Sequence, residues 1–174
     1  MVCDGRVRKP AADGLVETAL VDLALRTVHL LAAIVWVGGT VALVFVAVPP
    51  VQRLQGPDRA ALLREFGRRW RPIGWSAFGV AVVTGLVLAQ RAHAFNGAPR
   101  DFDWVLAAKG LLVGLLAAGS YLHDFVLGPG LARQVREGQL QSLRTLLVGI
   151  GRGNLLLTVT IPILGAVLGD LLDS

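Results

Sequence analysis

Five ionisable side chains lie within or at the ends of long apolar runs: His29, Lys109, His123, Asp124 and Arg152. A charge carried into hydrocarbon is costly, so each needs a partner, a water-filled cavity or a task. Lys109 stands a turn or two inside the run DWVLAAKGLLVGLL and is one of only two lysines in a chain that otherwise uses arginine. Either its stem snorkels and delivers the ammonium to the headgroups, or the ammonium stays inside as a cation for a ligand or a substrate carboxylate. His29 opens the first long apolar run and shares a helix face with Trp36, seven residues on. An imidazole there is either an ordinary satisfied polar group or a ligand. His93, at the end of the second run, falls toward the same end of the bundle as His29 and Lys109.

His123 follows Lys109 by fourteen residues, about 21 Å along a helix axis, so the two do not share a small site. With His29 level with Lys109, His29 and His123 cannot both ligate one haem iron, whose axial nitrogens lie only about 4 Å apart. The pair His123-Asp124 is then either a cap near Gly128-Pro129-Gly130 or part of a separate site at that end. Arg152 and Asn154 are expected at the edge of the last span, with Arg152 snorkelling. Cys3 and Met1 are the only sulfur-bearing residues, and neither lies in a span. A thioether or thiolate relay for Cu(I) is therefore excluded, while imidazole coordination of Cu(II) by His29 and His93 is not. Haem held between His29 and His93, or His29 and Lys109, needs no sulfur. The chain has no phosphate-binding loop, no H-E-x-x-H, no C-x-x-C, no G-x-S-x-G and no paired intramembrane carboxylates.

The elements that position these residues follow from composition. With 54% hydrophobic residues among 174 and a mean hydropathy of +0.62, the chain is too apolar for a water-soluble globule of its size, and the excess must face lipid. Its net charge of +5 comes mostly from arginines between apolar runs, with no basic stripe interleaved with stacking aromatics; nucleic acid is not an expected partner, and the lipid bilayer is. The spacing predicts an all-α integral membrane protein, an antiparallel bundle of four transmembrane helices spanning about residues 20–48, 72–92, 104–127 and 143–172. Each is long enough to hold the ~20 residues that cross a ~30 Å core, the uncharged run Leu30 to Val48 coming close to that length and Gly153 to Gly169 falling slightly short.

Residues 1–14 read as a polar tail with no signal-peptide run, so the first span is expected to remain, and residues 15–174 read as one membrane domain. Asp22, Arg26 and His29 recur at i, i+4 and i+7 on an amphipathic extension of helix one, which Pro49-Pro50 ends. Between spans one and two, Arg53, Arg59, Arg64, Arg68, Arg69 and Arg71 with Leu62, Leu63 and Phe66 predict a short amphipathic surface helix opened by Gly56-Pro57-Asp58. Pro72 is then expected in the first turn of span two, with Trp75 at headgroup depth. Ala94 to Asp103 reads as a loop, and Pro162 should kink the last span. Small-residue faces at Gly85-x3-Ala89, Gly110-x3-Gly114-x3-Ala118 and Gly165-x3-Gly169 would allow close packing. The arginines concentrate in loops one-two and three-four (with Arg133, Arg136 and Arg144), which places both termini outside by the positive-inside rule.

The pattern His29-x6-Trp36-x-Gly38-Gly39, Thr84-Gly85 and Lys109 followed by a Leu/Val run resembles the copper resistance D (CopD) superfamily. It is distantly similar to the HemJ-type membrane protoporphyrinogen oxidases, with an intramembrane His on an early helix and a Lys on a later one. The resemblance covers about Leu20 to Leu127; the matched positions are His29 and Lys109, while His123, after Tyr121, falls about one turn beyond its HemJ-like place. It implies copper transport or resistance in a bacterial plasma (inner) membrane, with copper as cofactor. A periplasmic copper-binding partner and a homo-oligomer are compatible with that role. The HemJ side implies instead a haem b-binding redox protein. A structural or assembly subunit without cofactor is the third reading.

Overall fold

In a computed structural model of the chain, residues 10–54, 56–96, 100–127 and 140–173 are described, some of them by backbone alone. Helix α1 (Pro10–Ala42) runs through a π-helical turn (Leu43–Ala47) into a short α2 (Val48–Gln52). There follow α3 (Gly56–Asn96), α4 (Arg100–Tyr121) with a π-helical turn at Leu122–Leu127, and α5 (Leu140–Asp173). Four stretches are long and apolar enough to cross a membrane: Gly14–Val51, Ala61–Ala92, Asp101–Val126 and Val148–Asp170. The protein is an all-α, multi-pass membrane protein built as a four-helix bundle. Large apolar side chains such as Leu86, Leu111 and Leu156 are 62%, 66% and 70% exposed, the surface a bilayer solvates without penalty.

Four local expectations are revised. The arginine-rich segment is helical and starts at Gly56, with Asp58 in its first turn, but it is not a separate helix. It is the first part of the 41-residue α3, which passes through Pro72 without a break. A proline removes one backbone donor and crowds the preceding turn. Here the segment before it is tied by Glu65 to both Arg68 and Arg69, and Trp70 is packed against α1, so both sides of the proline stay helical. Pro49-Pro50 likewise do not end the first helical stretch: they occupy the opening turn of α2, where a missing N–H leaves no bond unmade. Of the expected loop Ala94 to Asp103, residues 94–96 belong to α3 and residues 100–103 to α4, and residues 97–99 lie outside the described residues. α1 begins at Pro10, within the stretch read as tail. Gly128-Pro129-Gly130, Arg133 and Arg136 lie outside the described residues, as does the Arg144 side chain.

The bundle is two helix pairs. α1 packs along α3, α4 packs along α5, and α1 also touches α5. The α1–α3 contact depends on Gly39, where a Cβ would collide with the Trp70 ring. Trp36 sits within this contact, its ring centroid 6.5 Å from Trp70, 6.1 Å from Trp75 and 4.9 Å from Phe78. The α4–α5 contact depends on Gly119, which a side chain would drive into Asn154, and Asn154 Nδ2 donates to Ser120 Oγ at 3.3 Å. Gly110 and Gly114, by contrast, would meet nothing within 4 Å, so the small-residue repeat of span three is not a packing face among the described residues.

Gly38 and Gly39 give a matched pair. Gly38 faces open space, so Gly38→Ala should leave the apparent melting temperature in detergent nearly unchanged, while Gly39→Ala should destabilise by about 1–3 kcal/mol through overpacking against Trp70. Equal midpoints for the two variants would contradict this packing.

Candidate functional site

His29, on α1, is fixed by α3. Its Nδ1 lies 2.8 Å from the Ala81 carbonyl oxygen and 3.1 Å from Thr84 Oγ1. A carbonyl only accepts, so Nδ1 carries a proton and donates it. The Thr84 hydroxyl donates to the Val80 carbonyl at 2.7 Å, which leaves its oxygen facing the same imidazole N–H. Gly85 lets the ring lie against α3: a Cβ there would stand 3.0 Å from Cε1 and 3.4 Å from Nδ1. With the Nδ1 edge held this way, Nε2 of the neutral ring keeps its lone pair and has no hydrogen-bond partner among the described residues. Metal-ligating histidines are oriented by the same kind of Nδ1–H···O=C bond.

The imidazole lines a cavity of about 240 Å³ between the two helix pairs, with Arg26 and His29 from α1, Gly85 from α3, Lys109 from α4 and Gly165 and Gly169 from α5 among its walls. Lys109 faces into the bundle, its Nζ beside Gly165, where a Cβ would stand 3.1 Å away. It forms no hydrogen bond or ion pair with a described residue. Asp22, the carboxylate in the lining, is engaged by Arg91 at 2.5 Å, and Arg91 also reaches the Thr18 carbonyl at 3.5 Å. Arg26 and Lys109 therefore give the cavity a positive balance that suits an anionic group more than a bare cation. His29 lies seven residues inward of Asp22, about 10 Å by helical rise.

The face predicted by Asp22, Arg26 and His29 thus lines one cavity, and Lys109 joins it from another helix. His93 belongs to α3 by its backbone, but its side chain, and any pairing with His29, lies outside the described residues. Among the described residues no three of His, Cys, Asp and Glu come together. His123 and Asp124 stand apart from this cavity, in the π-helical turn after α4. There Asp124 accepts from Trp75 Nε1 and from His123 Nδ1, each at 3.1 Å, so the pair joins α4's end to α3. Two participants were missed in the sequence. Thr84 entered the sequence reading only through the Thr84-Gly85 pair of the resemblance, and its role as an acceptor for His29 was missed, although a lone hydroxyl in the run VAVVTGLVLA carries the same signal as an ionisable residue. The Asp22–Arg91 pairing across helices carried none.

In comparisons with known proteins the chain matches no family model, no curated protein and no solved structure.

The hydrogen bonds fix a measurable tautomer. In protein with 15N-labelled histidine at neutral pH, the resonances lost in His29→Gln should be a protonated Nδ1 and an unprotonated Nε2. The reverse assignment would remove Nε2 as a ligand.

Proposed function

We propose that this is a bacterial plasma-membrane protein that binds haem b at His29 and Lys109: His29 Nε2 would hold the iron, and the Lys109 and Arg26 cations would meet the porphyrin carboxylates. The observation that carries it is the imidazole held by α3 through Nδ1, its Nε2 left free, in a cavity with a cationic balance. The resemblance of these two positions to the His and Lys of HemJ-like proteins supports the same reading.

The donor set fits the group. One oriented imidazole supplies the iron ligand, and ammonium and guanidinium groups are the natural partners of carboxylates. At about 240 Å³, below the ~300–1,000 Å³ of typical enclosed ligand sites, the cavity encloses one edge of such a ligand rather than the whole. Bound haem would supply one-electron chemistry. The chain's own residues orient the ligand through His29, Thr84 and Ala81 and neutralise its charge through Lys109. The arginines of α3 before Pro72 belong on the cytoplasmic side by the positive-inside rule. The cavity then opens toward the outer face, with both termini outside.

Copper handling of the CopD type is the second reading, because the same Nε2 lone pair is a good Cu(II) ligand. It requires counter-anions to offset Lys109 and Arg26.

One purification separates the readings. Protein extracted from bacterial membranes should carry a Soret band that His29→Ala abolishes, and Lys109→Gln should weaken haem retention about tenfold, the size expected for one charge-assisted hydrogen bond. A colourless protein with stoichiometric copper by elemental analysis would select the second reading. A colourless, metal-free protein would sink both and leave the structural subunit.

A further inference from the structure

At the opposite end of the bundle the half-buried Arg71 has no acceptor among the described residues. Arg71 is half-buried, its Nε is buried with no hydrogen-bond partner, and no ion pair or hydrogen bond joins its guanidinium to another described residue. Its guanidinium carbon sits 5.4 Å from the centroid of the Phe125 ring. Neighbouring charges are already engaged. Glu65 takes Arg68 at 2.5 Å and Arg69 at 2.6 Å, and both oxygens of Asp124 are occupied by Trp75 and His123. Leaving the buried Nε–H of a guanidinium unmet is unfavourable, so an acceptor from outside the described residues is called for.

Depth identifies that acceptor. The Asp22–Arg91 ion pair marks one polar boundary of the α1–α3 pair. Arg71 lies twenty residues earlier on the same continuous helix, about 30 Å away by helical rise, the thickness of the hydrocarbon core. It therefore stands at the headgroup level of the other leaflet, with Trp75 one turn inside it, where interfacial tryptophans sit. Phe125 beneath it and Val126 beside that are 45% and 48% exposed, an apolar surface for an acyl chain directly below a cation. Planar guanidinium groups bind phosphate oxygens in bidentate fashion. Arg64, Arg68, Arg69 and Arg71 against Glu65 leave the segment net positive, which disfavours headgroups carrying their own ammonium and favours anionic ones.

We propose that Arg71, seated on Phe125, binds the phosphate of an anionic phospholipid in the leaflet at the arginine-rich end of the bundle. This site is independent of the His29 cavity and of which side of the membrane each end faces.

The test compares the full chain in nanodiscs of phosphatidylcholine with nanodiscs containing about one-third phosphatidylglycerol. The wild type should melt roughly 2–4 °C higher in the anionic discs and retain one phosphatidylglycerol in native mass spectrometry. Arg71→Gln should lose both the gain and the retained lipid, whereas Arg64→Gln should keep them. Inorganic phosphate added to phosphatidylcholine discs should give no gain. The proposal is overturned if Arg71→Gln keeps the gain, if free phosphate reproduces it, or if Arg71→Gln is destabilised equally in both discs, since the acceptor would then be a group of the protein. Far-UV circular dichroism of Arg71→Gln and Arg71→Lys checks that both remain folded.

Discussion

In hydrocarbon a polar group has no water to fall back on, and that constraint organises this bundle. Most of its polar side chains answer it locally. Thr27, Thr40 and Thr160 return their hydroxyls to the carbonyls of Leu23, Trp36 and Leu156, four residues back, the usual way a hydroxyl is tolerated inside a membrane helix. Others answer it across the bundle, as Asn154 does with Ser120, Trp75 with Asp124 and Arg91 with Asp22. Against that background the groups left open stand out. Among the described residues they include His29 Nε2, the Lys109 ammonium, the Arg71 Nε, the Trp36 indole N–H and the Thr158 hydroxyl, and of these His29 and Lys109 line one cavity.

The imidazole is oriented by backbone register more than by any side-chain partner. Ala81 offers a carbonyl to His29 only because α1 and α3 are in the register that also seats Gly39 against Trp70 and Trp36 against Phe78. Gly39 is ten residues from His29, about 15 Å along the helix, yet a shift there would move Ala81 and Thr84 relative to the ring. The site chemistry therefore depends on a packing contact that touches no site residue.

Much of this was visible in the sequence, for a physical reason. Span positions follow from hydrocarbon thickness, and the cost of charge in lipid singles out His29 and Lys109 without any alignment. The i, i+4, i+7 spacing of Asp22, Arg26 and His29 puts them on one face, and all three line the cavity. The sequence does not carry the choice of partner. A small-residue repeat says that close approach is sterically allowed, not which helix arrives. The repeat at Gly110 and Gly114 faces open space, while unrepeated Gly39 and Gly119 carry the contacts. Pro72 illustrates the same limit: despite a proline's local preference to start a helix, the helix extends back through the segment before it, which carries the Glu65 ion pairs and the Trp70 ring packing.

The two ends of the seam between the helix pairs are treated differently, and this accounts for the position of the cavity. At the arginine-rich end, the π-helical turn at Leu122–Leu127 widens the backbone, and it is there that Asp124 and Phe125 both reach Trp75, one by a hydrogen bond and the other by ring contact at 5.8 Å. Single π turns are locally unfavourable and tend to persist where tertiary contacts need the altered register. At the other end, Gly85, Gly165 and Gly169 leave three wall positions of the gap without a side chain, beside larger ones such as Phe102 and Leu106. A bundle pinned by clustered aromatics at one end, with three glycines in the facing walls at the other, retains a space there, and His29 and Lys109 line it from separate pairs, with Arg26 beside them.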